Sequence, residues 1–189
     1  DYGQQEYRVL AGMSGDPALL ESFAQGVDIH KATASQIFDT PISDISEFQR
    51  DVGKTIGFAL IFGQGIEATA TKLGVSVQEA EEFIDNYFSA FTEVRPWMDE
   101  AVQEGYDKGH IVTYFGRKVP IFELRSGIPS VIAKGERLCV NAKCQGTGAD
   151  VTLTAQVRIH SYLKKQGLDD RVSLVMNIHD ALYLYVHKS

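Results

Sequence analysis

Arg50, Lys54, Phe58 and Phe62 stand four residues apart, two cations followed by two aromatic rings. On a helix each step of four rotates the side chain by only about 40°, so the set makes one stripe roughly 18 Å long. That stripe suits a nucleoside triphosphate: Arg and Lys meet phosphates, and flat rings meet sugar and base. An amphipathic helix with solvated bases beside core aromatics has the same spacing. Gly53, Gly57 and Ala59, however, make this helix thin and poor in propensity, which points to close approach by something else. The other half of a triphosphate site is acidic, because magnesium on phosphates is held by carboxylates.

A second candidate lies near the end, where VSLVMNIHDALYLYV reads as two β-rich runs broken at His179 and Asp180, a hairpin with those residues at its tip. An Asp in a tight turn needs no chemistry to explain it. Gly63-Gln64-Gly65-Ile66-Glu67-Ala68 satisfies the GxGxxG/A dinucleotide fingerprint, but it follows a helix-period stripe where that fingerprint needs a preceding strand.

The elements that must position these residues are mostly helices. Residues 5 to 11 mix polar and apolar side chains as a half-buried strand would. Asp16 with Pro17 predicts a helix start, closed by Gly26, and Asp28 caps a short helix after it. Ser46 opens the stripe helix, which runs to about Phe62 and ends at Gly63 and Gly65. Ser76 with Glu79 is a capping box, and Arg95 to Lys108 makes one more helix before Gly109. A strand-turn element is expected around His110 to Phe122, then helices at Ile128 to Asn141 and Thr147 to Lys165.

The 189 residues are 44% hydrophobic, enough for one domain or a compact pair of lobes, and show no repeat. No run reaches the roughly 18 apolar residues of a membrane helix, so a soluble protein without a membrane partner is expected. Cys139 and Cys144 lack zinc-site spacing and make no secreted disulfide framework, which favours a reducing compartment, the cytoplasm. A net charge of -7 argues against nucleic acid, yet the charge is polarised. Residues 76 to 107 hold nine acids and one base; residues 108 to 145 hold seven bases and two acids.

Three segments then make a specific resemblance. DYGQQEYRVLAGMSGD at 1 to 16, Arg50-xxx-Lys54 followed by TIGFALIFG, and IHDA at 178 to 181 resemble motifs A, B and C of family A DNA polymerases, in order. The intervening DIHKATASQIF, YFSAFTEVRPWM, YFGRKVP and ERLCVNAKCQGTGAD resemble the same family, so the similarity covers the whole chain.

The resemblance implies an α+β fold: helical fingers plus part of the antiparallel palm sheet of a right-hand polymerase. It places a palm strand with motif A at 1-15, fingers at 16-126 with the nucleotide-binding helix at about 46-62, and palm helices with the motif C hairpin at 127-189. It implies two Mg2+ ions on Asp1, Asp180 and the Tyr2 carbonyl, with Lys54 a candidate proton donor to pyrophosphate. Gln5, Glu6, His30, Arg50, Lys54 and Phe58 are the implied nucleotide contacts, Glu6 as the gate against a ribose 2′-hydroxyl. Thr55, Phe62, Gly63, Arg137, Asn141, Gln145 and His179 are the implied contacts to primer and template, and the basic stretch supports Arg137 there.

The implied partners are primer-template DNA, deoxynucleoside triphosphates, and a thumb and remaining palm of the same polypeptide. The location is the cytoplasm of a bacterium, or of a host if the gene is phage-borne. The implied activity is DNA-directed DNA synthesis, not expected of these 189 residues alone; the alternative is a catalytically impaired, polymerase-like DNA-binding module. The chain departs from the family at Ala181, where an acid usually follows the motif C Asp, at Phe62, usually Tyr, and at Gly3, Gln5 and Tyr7, usually Ser, Ile and Leu.

Overall fold

The computed structural model describes residues 3–178 and 181–188. The fold is α+β. Eight helices run in the order α1 (Gln5–Ser14), α2 (Pro17–Ala24), α3 (Ile29–Phe38), α4 (Glu47–Phe62), α5 (Ile66–Leu73), α6 (Val77–Ala90), α7 (Val94–Lys108) and α8 (Pro129–Lys165) among the described residues. A small antiparallel pair, β1 (His110–Val112) and β2 (Lys118–Pro120), precedes α8, and a longer one, β3 (Val172–Ile178) and β4 (Ala181–Val186), follows it. No helix among the described residues is long and apolar enough to cross a membrane.

The helix starts sit where local chemistry put them. Asp16 Oδ1 accepts from the N–H groups of Ala18 and Leu19, and both Ser46 with Gln49 and Ser76 with Glu79 form complete capping boxes. Asp16 does more than cap, since its Oδ2 accepts from the Glu93 N–H at 3.1 Å and ties α2 to the start of α7. The main core lies between these elements, with Tyr7, Leu10, Ile56, Tyr87, Phe91 and Val94 almost fully buried.

Two expected elements are corrected. Residues 5 to 11 form helix α1 and not a strand: Tyr7, Leu10 and Ala11 are the buried apolar positions, a helical i, i+3, i+4 set. The two helices expected after Ile128 are one, α8, of 37 residues, with Gly146 and Gly148 inside it. Each of these glycines lets a side chain of another element close on the helix. A Cβ at Gly146 would lie 2.8 Å from Thr113 Cγ2, and one at Gly148 3.2 Å from Gln5 Oε1. Helix α5 had no counterpart in the sequence reading.

The β1–β2 turn is fastened to α8 by Asp150. One carboxylate oxygen accepts from Thr113 Oγ1 and the other from Arg117 Nε, both at 2.7 Å, while Arg117 Nη2 donates to the Gly146 carbonyl at 2.8 Å. Strands β3 and β4 pair from Val172 opposite Val186 to Ile178 opposite Ala181, with an irregularity between Leu174 and Met176. His179 and Asp180, the expected tip, lie outside the described residues.

Helix α7 is tied to α8 by Glu104, which pairs with Lys143 at 2.6 Å and with Lys108 at 3.1 Å. Burial alone would raise the Glu104 carboxyl; the two ammonium groups outweigh it and hold it below the usual Glu value. Glu104→Gln leaves the largely buried Lys143 without its counter-charge and is expected to cost about 1–3 kcal/mol at neutral pH. Because the folded value is lowered, this contribution is complete above the ordinary Glu range and disappears as pH falls through the lowered value. Denaturant unfolding of both forms across acidic pH checks the prediction: the gap should close on acidification.

Candidate active site

The stripe on α4 exists as read, and what lies against the two glycines beside it is the protein's own fold. A Cβ at Gly53 would lie 2.6 Å from the His30 carbonyl oxygen and 2.8 Å from the Ala34 nitrogen, so α3 crosses α4 at backbone contact. At Gly57 the space of a side chain is taken by the phenol of Tyr7 on α1. Low helix propensity in this segment is thus the condition for three helices to meet, and the close approach expected there is made by α1 and α3.

That crossing gathers the candidate nucleotide contacts. The His30 ring lies 5.6 Å from Tyr7 and 5.9 Å from Phe58 between centroids, and Phe58 stacks on Phe62 at 5.7 Å with planes 16° apart. His30 is 4% exposed, and its Nδ1 has no hydrogen-bond partner among the described residues. Burial lowers its pKa, and Arg50 and Lys54 add to this against the opposing charges of Asp28 and Asp51, so the imidazole is neutral near pH 7.

Arg50 is held by Asp28, a residue read from sequence only as a cap. Asp28 Oδ1 accepts from the N–H groups of His30 at 2.9 Å and Lys31 at 3.2 Å, while Oδ2 takes Arg50 Nε at 3.0 Å and Nη2 at 2.9 Å. One carboxylate therefore fixes both the helix that carries His30 and the first cation of the stripe. Burial raises the Asp28 pKa, but the hydrogen bond from Arg50 and those from the α3 N-terminus outweigh it and leave the group low and charged. Lys54 is exposed and has no ion pair among the described residues. Beside it a groove of about 350 Å³ opens, lined by Lys54, Thr55 and Phe58 of α4 and Lys72 of α5.

Gly63 ends α4 with φ +64°, and Arg137 of α8 lies so close that a Cβ at Gly63 would come within 2.8 Å of its Cγ. Arg137, Asn141 and Gln145 follow at four-residue spacing along α8, so the candidate template and primer contacts form a second stripe that begins where the first ends. Gln5 is buried, its amide donating to the Gly148 carbonyl at 3.0 Å and Thr152 Oγ1 at 3.3 Å, which joins α1 to α8. Glu6 is half-buried on α1. Its charge adds to the burial that pushes the Cys144 thiol up to about 12. Asp1, Tyr2, His179 and Asp180 lie outside the described residues. Among those described, no cluster of three His, Cys, Asp or Glu side chains could hold a metal.

The basic stretch from 108 to 145 is less of a nucleic-acid footprint than its composition suggests. Four of its seven cations are engaged inside the protein: Lys108 and Lys143 by Glu104, Arg117 by Asp150, and Lys134 by Glu123 at 3.5 Å. Arg137 is exposed and without an ion pair among the described residues, so its case rests on its contact with Gly63 and not on the surrounding charge.

The family model for DNA polymerase family A matches residues 1–189, the full chain. The chain belongs to that family. DNA polymerase I of Pseudomonas aeruginosa is 36% identical over 188 residues, 100% of this chain and 20% of that protein. The enzyme of Chloroflexus aurantiacus is 40% identical over 182 residues, covering 96% of this chain and 19% of its own length. The thermostable DNA polymerase I of Thermus aquaticus is 35% identical over 188 residues, 100% of this chain and 22% of that one. This family A chain thus spans about a fifth of these curated relatives. Among solved structures, the POL domain of Pol1 from M. smegmatis, in complex with DNA primer-template and dNTP, is similar with a TM-score of 0.91 at 32% identity. That likeness covers 98% of this chain and 32% of the other.

Proposed function

We propose that the protein to which this chain belongs carries out template-directed DNA synthesis, joining a deoxynucleotide to a primer 3′-hydroxyl with release of pyrophosphate. The observation that carries the reading is the α3–α4 crossing. It sets a neutral His30 against Phe58 of the α4 stripe that carries Arg50, Lys54, Phe58 and Phe62, and a second stripe from Arg137 to Gln145 begins where that one ends. Residues 16-126 are the fingers, and 1-15 and 127-189 are parts of the palm.

In this reading Arg50 and Lys54 bind the triphosphate, His30 donates a hydrogen bond to it, and Phe58 stacks on the sugar and base. Glu6 blocks a ribose 2′-hydroxyl. Phe62, Thr55, Gly63, Arg137, Asn141, Gln145 and His179 hold template and primer near the new pair. Gln5 acts from beneath, its amide already committed to α8. As the primer 3′-hydroxyl gives up its proton to solvent and its oxygen attacks the α-phosphorus, the bond to pyrophosphate breaks and Lys54 gives its proton to the leaving group.

Asp1, Asp180 and the Tyr2 carbonyl are hard oxygen donors of the kind magnesium takes, and α1 and the β3–β4 pair that flank them both pack on α8. Two such ions, when bound, would lower the pKa of the primer hydroxyl and stabilise charge on the leaving oxygens. Primer-template DNA, deoxynucleoside triphosphates, the remainder of the polypeptide and a cytoplasmic setting complete the proposal.

Primer extension by the full-length protein under magnesium titration tests it. Templated product that needs both metal and template is the expected result. Tight primer-template binding with no product at any magnesium concentration would mean an impaired DNA-binding module. Phe58→Tyr adds a hydroxyl against the sugar of the incoming nucleotide, and one hydrogen bond of about 0.5–1.5 kcal/mol should raise dideoxynucleotide use relative to deoxynucleotide by roughly two- to twelvefold. Competitive incorporation of the two nucleotides measures it.

A further inference from the structure

Tyr7 has no role in the chemistry above, yet it lies where the parts of the site meet. It follows Glu6 on α1, is 1% exposed, and makes edge-to-face contact with both His30, at 5.6 Å, and Phe58, at 6.0 Å. Its hydroxyl end lies on the backbone of Gly57, the residue before Phe58. Any side chain at position 57 would overlap that hydroxyl, and its Cβ would come within 2.7 Å of the Tyr7 Cε2. A large residue on α1 and the smallest one on α4 therefore fill a single volume.

The hydroxyl itself is not what fastens the contact. Tyr7, Thr33 and Tyr87 bring three buried hydroxyls near one another, and none has a hydrogen-bond partner of good geometry among the described residues. The ring carries the interaction: it fills the space between α1 and α4 and stands nearly perpendicular to the rings of the two side chains that the proposed function places on the nucleotide.

We propose that Tyr7 is a positioning residue for nucleotide selection, its ring seated on Gly57 setting where Phe58 and His30 stand relative to the incoming nucleotide. The proposal rests on the polymerase reading, since it is through Phe58 and His30 that Tyr7 would act. A purely structural wedge would change stability alone. A positioning residue changes which nucleotide is accepted, because freeing Phe58 from its edge-to-face neighbour alters the pocket wall against the sugar.

The test uses the full-length polymerase with Tyr7→Phe, Tyr7→Leu, Gly57→Ala and the Tyr7→Leu/Gly57→Ala pair. Single-turnover kinetics give the dNTP dissociation constant, the maximal rate and the dideoxy-to-deoxy ratio, and thermal melts monitor the fold. Tyr7→Leu should weaken dNTP binding about fivefold with a smaller change in maximal rate, and should move the dideoxy-to-deoxy ratio at least about threefold. Tyr7→Phe keeps the ring and should stay within about twofold of the parent. Gly57→Ala alone should lose more than about tenfold in efficiency or fail to fold, and adding Tyr7→Leu should recover part of the activity or of the melting temperature by making room for the methyl.

A folded Tyr7→Leu with unchanged binding and ratio would overturn the proposal. So would a Tyr7→Phe effect as large as that of Tyr7→Leu, or a double variant no better than Gly57→Ala. Failure of the polymerase reading looks different: the parent protein itself would incorporate nothing.

Discussion

On the proposed function, with Lys54 as the proton donor, Lys54→Ala in the full-length protein is expected to slow nucleotide incorporation by about two to three orders of magnitude at saturating dNTP, the range for losing a general acid. The two cations of the stripe stand in different situations. Arg50 is paired with Asp28 through Nε and Nη2, with its side chain 26% exposed, and meets a phosphate only by sharing or leaving that carboxylate. Lys54 is exposed and has no such competitor among the described residues, so its ammonium is available to the ligand as it stands. Lys54→Arg separates charge from proton donation, because a guanidinium keeps its proton throughout. Rapid-quench measurement should find Lys54→Arg binding dNTP nearly as well as the parent while remaining slow. A Lys54→Ala enzyme within about fivefold of the parent rate would remove Lys54 from the chemistry.

Gly53→Ala is expected to destabilise the α3–α4 unit by about 3 kcal/mol. The methyl group would meet backbone, the His30 carbonyl oxygen at 2.6 Å and the Ala34 nitrogen at 2.8 Å, so no side chain can rotate away and the two helices must separate. The same substitution at Gly12 is the internal control. A Cβ there meets nothing within 4 Å, the residue lies inside α1, and Gly12→Ala should stabilise by about 0.5–1 kcal/mol. Hydrogen exchange of the α3 and α4 amides in the full-length protein reads the first effect, and of α1 the second. The Gly53 variant should also lose dNTP affinity, since Asp28, His30 and Arg50 all sit at the seam it opens. Unchanged protection in α3 and α4 would show that this crossing is looser than the contact implies.

Much of this protein was legible in its residues because the governing interactions are local. Asp16, Asp28, Ser46 and Ser76 cap the helices they were expected to cap, since a cap and its N–H groups lie within three residues of each other. The α4 stripe was legible for the same reason, being a property of one helix. The motifs and the segments between them carried the family, which the full-length match bears out.

What the residues could not decide was anything set by one element lying on another. Residues 5 to 11 alternate enough to suggest a strand, and only packing shows Tyr7, Leu10 and Ala11 buried together. The break expected between Asn141 and Thr147 does not form: a glycine inside a helix costs only about 1 kcal/mol, and Gly146 and Gly148 sit against Thr113 and Gln5. The cations from 108 to 145 read as a phosphate-facing patch until Glu104, Glu123 and Asp150 were found beside four of them. Asp28 reaches Arg50 across 22 positions, and Tyr7 fills the space above Gly57 across 50. Pairs so distant are fixed by the angle and depth at which α1, α3 and α4 cross, a geometry that no one segment contains.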